Sequence, residues 1–180
     1  MNHVPTVHQL ATRTRQINAS NDWGTDFTPA QIPQFLALIH SEITEAHHER
    51  DRAKRARELG DVIVRALDLC ELIRPGLIGS RLTTLEHHRP GLLMRWATRR
   101  HRSVYESSLH ARTSAALETF RKAPADQMPG QVVVDLSRLI CAANFVLLCE
   151  QPRGTTPTDL ISGILDANSA RGKRHGGRRC

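Results

Sequence analysis

Apolar residues recur at helical spacing along most of this chain, and this periodicity constrains the fold more than any other feature. In the segment 35–49 the apolar side chains that share one helical face are Phe35, Leu36, Ile39, Ile43 and Ala46. No stretch shows the alternation of apolar and polar residues that is typical of a half-buried strand. The sequence therefore predicts an all-α fold.

Helix starts and breakers divide the chain into predicted elements. The runs Thr28-Pro29-Ala30-Gln31 and Thr156-Pro157-Thr158-Asp159 each place a capping Thr before a Pro at the first helical position. Pro33 delays the regular second helix to Phe35, and 50–56 is expected to be a charged connection. We expect helices at 7–18, 35–49, 57–73, 104–122, 132–150 and 157–171, with breaks at Pro75-Gly76 and 123–130.

The length of 180 residues predicts one domain with its own apolar core. We expect this domain to span 1–170, with 75–155 as an extended or inserted region and 171–180 as a basic flexible tail. The strongly apolar segment 132–150 is expected to be a central helix. Its internal Asp135, Arg138 and Asn144 favour a core helix over a membrane span.

The formal net charge of +7 is unevenly distributed. Five Lys or Arg and no acid lie in 171–180, and nine Lys or Arg against three acids lie in 81–122. The segment 40–72 instead contains eight acids and six Lys or Arg. The tail could bind nucleic acid, but the acidic segment argues against a surface that binds nucleic acid throughout.

The compartment is predicted from cysteine usage and from apolar runs. No apolar run approaches the roughly 20 residues that span a bilayer, and 1–16 lacks an apolar signal segment. The cysteines at 70, 141, 149 and 180 form no C-x-x-C pair, so neither a zinc ribbon nor a redox dithiol is indicated. We expect the first three to be reduced and buried as small apolar residues. These features predict a cytoplasmic protein with no membrane partner.

Two acidic pairs carry the clearest chemical signal. Glu42-x-x-Glu45 is followed, after twelve residues, by Glu58-x-x-Asp61. Residues three apart share one helix face, so two adjacent antiparallel helices can bring four carboxylates together. Carboxylates that close repel one another unless cations lie between them, and oxygen ligands without Cys or a second His suit Mg²⁺ or Mn²⁺ better than zinc. The alternative is that these acids form ordinary solvated helix faces with Arg and Lys partners.

Two stretches resemble a known superfamily. The first runs from Phe35 to Leu72 and contains both acidic pairs, the second pair within the run Glu58-Leu59-Gly60-Asp61-Val62. The second runs from Asp159 to Arg178, where a helix ends in Asn168-x-x-Arg171 before a basic His-Gly-Gly run. Together they cover about a third of the chain and resemble the MazG-like all-α nucleoside triphosphate pyrophosphohydrolases.

This sequence also departs from that superfamily in two places. Many members have a second Glu immediately before the first motif Glu, and Ser41 stands there in this chain. The span between Arg74 and Thr155 is longer than in the small members. The departures concern the assembly and the substrate pocket more than the metal site.

The resemblance implies a helical bundle that cleaves a nucleoside triphosphate between its α- and β-phosphates, giving a monophosphate and pyrophosphate. It implies Mg²⁺, or alternatively Mn²⁺, held by Glu42, Glu45, Glu58 and Asp61. Glu45 is the residue that we expect to accept the proton of the attacking water. Members of the superfamily are usually homodimers or dimers of dimers, and the same is expected here.

Three cationic residues are candidates for binding the phosphates. They are Lys54, in the connection between the acidic pairs, and Arg171 and Lys173, after the last helix. A cation is needed because the acidic cluster alone repels a nucleotide. Lys54 is explained equally well as ordinary solvated surface.

Three further residues have two interpretations each. Trp23 lies in a polar loop, where it either stacks on the base or covers the core. Asn168 matches the Asn of the superfamily and is expected to hydrogen-bond the base or ribose, or else to cap its helix. Arg65, one turn after Asp61, is expected to orient a motif carboxylate rather than to touch substrate.

Two other functional classes remain open. A ferritin-like di-metal carboxylate protein would use the Glu-x-x-His formed by Glu45 and His48, but that architecture needs a second copy of this motif. The basic block and tail suit a non-enzymatic module that binds nucleic acid or a partner protein on the same helical fold. No recognition-helix motif or aromatic-interleaved basic stripe accompanies them, so a nucleotide hydrolase is the preferred hypothesis.

Overall fold

The structure, a computed structural model, describes residues 4–152 and 154–171. Within these ranges the chain forms eight α-helices and no strand, which confirms the predicted all-α class. The helices are α1 (Val7–Ser20), α2 (Ile32–His48), α3 (Arg52–Ile73), α4 (Leu77–Arg81), α5 (Leu92–Arg100), α6 (Arg102–Lys122), α7 (Met128–Glu150) and α8 (Pro157–Ala170), and a short 3₁₀ helix (Pro29–Gln31) precedes α2. Residues 172–180 lie outside the described ranges, so the flexible tail stays a prediction.

Four helices form a closed bundle. The most extensive contacts join α3 to α7, α7 to α6, α6 to α2 and α2 back to α3. α1 and α8 also pack against α3, while α4 and α5 pack against α7. The segment 75–155, expected to be an extension or insertion, thus supplies half of the bundle. Buried apolar side chains from all four helices meet in one core, among them Ile39, Ile63, Leu109 and Leu136.

The start of α2 differs from the prediction. The helix begins at Ile32 rather than at Phe35. Pro33 is compatible with this early start because the N–H groups of a first turn have no partner within the helix. The helix starts predicted at Thr28 and Thr156 are confirmed, and each has a capping box, before the 3₁₀ helix and before α8.

The start of α3 lies inside the segment 50–56, where the sequence predicts a connection. The helix begins at Arg52 because the Asp51 carboxylate accepts a hydrogen bond from the Lys54 N–H at 2.9 Å and caps the first turn. Only three residues connect α2 to α3. A connection this short makes the two helices antiparallel neighbours.

α7 corrects two expectations about the apolar segment. It begins at Met128, with Pro129 in its first turn, so the breaker is shorter than 123–130. The helix is long and apolar enough to cross a membrane by length and composition, contrary to the expectation that no run approaches that length. Within this protein, 61% of its most apolar window is buried. Its contacts with α3 and α6 make it the central core helix that the sequence predicts.

The cysteines follow the prediction in part. Cys70 and Cys149 are buried, whereas Cys141 is exposed, and all three are free thiols. Cys141 follows the fully buried Ile140 on α7 and therefore lies on a face turned away from the core. Cys180 lies outside the described residues.

Gly60 allows α8 to pack closely on α3. A Cβ atom at this position would lie 2.5 Å from Ile164 Cδ1 and 3.5 Å from Leu160 Cδ2, both on α8. Carbon atoms in contact are about 3.5–4.0 Å apart, so a larger residue would force the Ile164 side chain to move. Gly60 lies between Glu58 and Asp61, and its close packing fixes α8 relative to these two carboxylates.

Replacing Gly60 by Val is expected to lower the free energy of unfolding by about 1–3 kcal/mol, because the added methyl groups overlap Ile164 in a packed core. Gly163 is a matched control, since no atom lies within 4 Å of the Cβ it would gain. Gly163→Ala is expected to stabilise the protein by up to about 1 kcal/mol through helix propensity. Urea unfolding measures both changes, and a Gly60→Val protein as stable as the parent would contradict the close packing.

Candidate metal centre

One face of α3 lines a polar cavity of about 390 Å³, together with parts of α1, α2, α8 and the loop after α1. This volume lies within the range of about 300–1,000 Å³ that is typical of small-molecule sites. Most lining side chains bear a charge or an amide. The full set is Asn18, Trp23, Glu42, Glu45, Arg57, Glu58, Asp61, Val64, Arg65, Asn168 and Arg171.

Three carboxylates meet in this cavity. Glu42 of α2 and Glu58 and Asp61 of α3 each present an oxygen within 4.8 Å of the other two. The two residues of α3 lie three positions apart and share one face, and the α2–α3 hairpin brings Glu42 opposite them. The sequence predicts four carboxylates at this point, and the structure gathers three of them into one group.

Glu45, the fourth predicted carboxylate, lines the same cavity but lies outside the group of three. It is exposed, and its Oε1 accepts a hydrogen bond from Ser41 Oγ at 3.3 Å. An exposed carboxylate exchanges protons with water more readily than a buried one. This position suits a proton acceptor better than a fourth ligand of the same ion.

Burial and mutual repulsion perturb two of the three carboxylates. Burial is the main cause that raises the pKa of Asp61 from 3.8 to about 7, and the charges of Glu42 and Glu58 add to it. The pKa of Glu58 is also raised, by burial first and then by Glu42 and Glu45. A bound cation would favour the ionised form of both groups, because it offsets the same repulsion.

Two arginines offset part of the negative charge. Arg65 Nε contacts Glu42 Oε1, which agrees with the expectation that Arg65 orients a motif carboxylate. Arg57 lines the cavity and its charge lowers the pKa of Glu58 and Asp61. Burial and the neighbouring carboxylates outweigh the two arginines, and the pKa of Asp61 stays near 7.

An ion pair between α1 and α3 stabilises one wall of the cavity. Arg15 of α1 donates from Nη1 to Asp68 Oδ1 at 2.8 Å and from Nη2 to the carbonyl oxygen of Trp23. Asp68 is 2% exposed, and burial raises its pKa to about 6 although Arg15 opposes the shift. The pair therefore ties α1 and the loop of Trp23 to α3. No local pattern in the sequence identifies Arg15, because its partner lies 53 residues further along the chain.

Trp23 fits both interpretations that the sequence allows. Its ring packs on Phe35 with centroids 5.8 Å apart, and this contact joins it to the apolar core. The same side chain lines the cavity. An aromatic wall of this kind offers a stacking face to a planar ligand.

The end of α8 reaches the cavity through Asn168 and Arg171. Asn21 donates from Nδ2 to the Asn168 carbonyl oxygen at 3.1 Å and holds the backbone of that residue. The ion pair between Arg13 and Asp166, at 2.6 Å, is a second link between α1 and α8. Asn168 thus has a fixed backbone and a side chain in the cavity wall.

Two predicted phosphate-binding residues are not among the cavity residues. Lys54 is exposed on the first turn of α3 and does not line the cavity, while Lys173 lies outside the described residues. Arg57 and Asn18 line the cavity instead, and sequence reasoning missed both. The signal for Arg57 is its position four residues before Asp61, which places both on one helix face. Asn18 has no such signal, since it comes from α1.

The donor set fits Mg²⁺ or Mn²⁺ better than zinc. The group of three consists of carboxylates, and within 4–152 and 154–171 no His or Cys joins it. Hard cations such as Mg²⁺ prefer oxygen donors and retain several waters. Burial, together with the charges of Glu42 and Glu58, raises the pKa of Asp61 to about 7, and a bound cation would favour its ionised form.

The ferritin-like alternative gains no support from this geometry. His48 is exposed and does not belong to the acidic group. His47 pairs with Glu106 on α6, with 2.5 Å between Nδ1 and Oε2. The Glu-x-x-His motif therefore does not contribute an imidazole to the candidate metal centre.

No protein family, curated protein or solved structure matches this chain. The superfamily named from the motifs therefore stays a prediction. The functional argument rests on the carboxylate group, the cavity around it and the side chains that line that cavity.

Glu42→Gln, Glu58→Gln and Asp61→Asn are each expected to weaken Mg²⁺ binding by about tenfold or more, because each removes a charged oxygen ligand. Glu45→Gln is expected to have a smaller effect. Glu118→Gln is the control, since Glu118 is an exposed carboxylate on α6. Titration calorimetry with MgCl₂ measures the affinities, and equal values for all five variants would contradict a metal site at the group of three.

The raised pKa of Asp61 gives the metal-free protein a defined pH dependence. Between about pH 4 and pH 7 the folded state binds a proton that the unfolded state has lost, so the free energy of unfolding falls as pH rises through this window. Asp61→Asn removes this loss and is expected to stabilise the protein in EDTA at pH 8 by about 1–3 kcal/mol. Urea unfolding at pH 8 and pH 4 measures the change, with the exposed Asp126→Asn as control. A stabilisation equal at both pH values would argue against the perturbed carboxyl.

Proposed function

We propose that this chain is a Mg²⁺-dependent pyrophosphohydrolase that converts a nucleoside triphosphate and water to a nucleoside monophosphate and pyrophosphate. The observation that carries the proposal is the group of three carboxylates in a cavity that also presents Arg57, Arg171, Trp23 and Asn168. The cavity thus combines acidic groups, cationic groups and an aromatic face. A triphosphate, its cation and a planar base need these three features.

The carboxylates Glu42, Glu58 and Asp61 hold Mg²⁺ in this proposal, with Mn²⁺ as an alternative. When bound, Mg²⁺ supplies positive charge to the phosphate oxygens and lowers the pKa of a water molecule. Arg65 keeps the Glu42 carboxylate in position through their ion pair. The Arg15–Asp68 pair holds the adjacent helix against α3.

Glu45 is proposed to accept the proton of the attacking water. The water oxygen forms a bond to phosphorus while the bridging P–O bond between the α- and β-phosphates breaks, and pyrophosphate leaves. The exposed position of Glu45 supports this role, because the carboxyl can then return its proton to solvent. A buried ligand carboxylate cannot do so as easily.

Arg57 and Arg171 are proposed to contact the phosphates, since both line the cavity and carry positive charge. Lys173 keeps its predicted role as a further phosphate contact. Trp23 is proposed to stack on the base and Asn168 to hydrogen-bond the base or ribose. Lys54 is left out of the proposal because it lies on the surface outside the cavity lining.

Pyrophosphate release from a panel of ribo- and deoxyribonucleoside triphosphates in MgCl₂ tests this function. At least one substrate is expected to yield equal amounts of monophosphate and pyrophosphate. In H₂¹⁸O the label enters the monophosphate if water attacks the α-phosphorus, and enters pyrophosphate if it attacks the β-phosphorus. Release of orthophosphate alone would contradict the proposed cleavage position.

The variants Glu42→Gln and Asp61→Asn are expected to lower kcat/KM by at least about a hundredfold, because they weaken the cation site. Glu118→Gln on α6, outside the cavity lining, is the matched control and is expected to retain full activity. Activity that survives Asp61→Asn in the presence of EDTA would reject the assignment. A turnover-free protein that binds DNA in a salt-sensitive manner would favour the non-enzymatic alternative.

A further inference from the structure

Five arginines converge where α3 begins and α7 ends. Arg52 and Arg55 lie in the first turn of α3, Arg89 precedes α5, and Arg95 and Arg99 lie on α5. Burial, followed by the charge of Arg99, lowers the pKa of Arg52, and Arg95 and Arg89 add to this effect. We call these five residues the arginine cluster. None of them lines the carboxylate cavity.

One carboxylate, Glu150, faces this cluster. Its Oε2 accepts a hydrogen bond from Arg55 Nη2 at 2.8 Å and lies 3.7 Å from Arg52 Nε and 3.9 Å from Arg99 Nε. Glu150 is 1% exposed, so water screens these contacts poorly. Three arginines therefore share a single carboxylate oxygen.

Some of the N–H groups of the arginine cluster donate to backbone carbonyl oxygens at the end of α7. Arg99 Nη2 donates to the Cys149 carbonyl oxygen at 2.7 Å, and Arg52 Nη2 donates to that of Gln151 at 2.9 Å. Arg89 donates to the same Gln151 oxygen. The end of a helix carries only a partial negative charge, so these bonds do not neutralise the guanidinium groups.

Arg95 pairs with neither a carboxylate nor a backbone carbonyl among the described residues. It is 8% exposed, and among the described residues its Nε has no hydrogen bond and its guanidinium forms no ion pair. The Nε atoms of Arg52, Arg55 and Arg99 are also buried without a hydrogen-bond partner, as is Glu150 Oε1. Buried donors are rarely left in this state, because an unmade hydrogen bond to a charged group is costly.

Asp51, which precedes Arg52, is an exposed carboxylate that accepts a hydrogen bond from the Lys54 N–H, and the charge of Arg55 acts on it more weakly. Two further acidic side chains have partners outside the cluster. Glu86 accepts a hydrogen bond from the Thr158 N–H at 3.1 Å, and Glu106 pairs with Arg102 and His47. The residues outside the described ranges, 1–3, 153 and 172–180, contain no Asp or Glu. Among the described residues, the ion pairs of Arg52, Arg55 and Arg99 therefore all involve Glu150, and Arg95 forms no ion pair.

We propose that the arginine cluster binds an oligophosphate anion, either pyrophosphate or the phosphate chain of a nucleotide, at a site distinct from the carboxylate cavity. Three guanidinium groups that share one carboxylate oxygen, beside a fourth that forms no ion pair among the described residues, suit a compact ligand with several phosphate charges better than a single halide or carboxylate. Planar guanidinium groups bind phosphate oxygens through paired N–H donors, and the Nε atoms are donors of this kind. The side chains of Arg52 and Arg99, 38% and 34% exposed, open the cluster to solvent.

Binding of sodium pyrophosphate in EDTA, at constant ionic strength, tests the proposal by calorimetry and thermal unfolding. Pyrophosphate and tripolyphosphate are expected to bind saturably and to raise Tm, whereas orthophosphate and sulfate at the same ionic strength are not. Arg95→Met is expected to weaken pyrophosphate binding by about tenfold or more, because one charge-assisted contact is lost. Arg121→Met, at an exposed position on α6, is expected to leave the affinity unchanged.

The stability of Arg95→Met without ligand separates a binding site from a structural contact. Removing a buried charge that has no partner is expected to raise Tm. A lower Tm together with unchanged pyrophosphate affinity would overturn the proposal, since Arg95 would then serve packing alone. Equal Tm shifts with sulfate and pyrophosphate would also overturn it, because they would reflect general screening.

Two further binding experiments identify the ligand, and a third separates this site from the proposed hydrolase site. ATP that binds while pyrophosphate also binds indicates recognition of the phosphate chain, which supports the proposal in its general form. Duplex DNA that binds through Arg95 while pyrophosphate does not would overturn it. Asp61→Asn is expected to bind pyrophosphate in EDTA as the parent does, so failure of the proposed hydrolase activity and failure of this site are distinguishable.

Discussion

The burial of α3 is the constraint on which the other features depend. This helix contacts α2 and α7 within the bundle and α1 and α8 beside it, so little of its surface is free. Its charged side chains must lie in the gaps between neighbouring helices. Glu58 and Asp61 lie in the gap toward α2, while Arg52 and Arg55 lie at the end of α7. Gly60 permits this crowding because it has no side chain toward α8.

The carboxylate region and the arginine region of α3 differ in how they can reduce the repulsion between their like charges. A carboxylate can take up a proton, and burial together with the neighbouring carboxylates raises the pKa of Asp61 to about 7. An arginine in a protein does not lose its proton at neutral pH, so the arginine cluster has no equivalent way to reduce its charge. A divalent cation would replace protons at the first region. At the second region three arginines share the carboxylate of Glu150, so a bound anion would offset charge that protons cannot.

Local features of the fold and the site could be predicted, and contacts between distant segments could not. The approach of Glu42 to Glu58 and Asp61 follows from three-residue spacing on adjacent helices. The sequence predicts late starts for α2 and α3 because Pro and charged residues are common both in loops and in a first helical turn. The Arg15–Asp68 pair joins positions 53 apart, and the arginine cluster combines several separate segments. Neither leaves a periodic pattern in the sequence.

The three-residue separation of Arg55 and Glu58 fixes the spacing of the two charged regions along α3. These residues belong to different charged regions but are only about 4.5 Å apart along the axis of α3. Each helical residue turns the chain by about 100°, so one inserted or deleted residue between them would rotate one region away from its neighbouring helices. Changes of length are more easily absorbed between α6 and α7, where the connecting segment 123–127 is largely exposed. Between Arg55 and Glu58 the number of residues must stay the same, so that both charged regions keep facing their neighbouring helices.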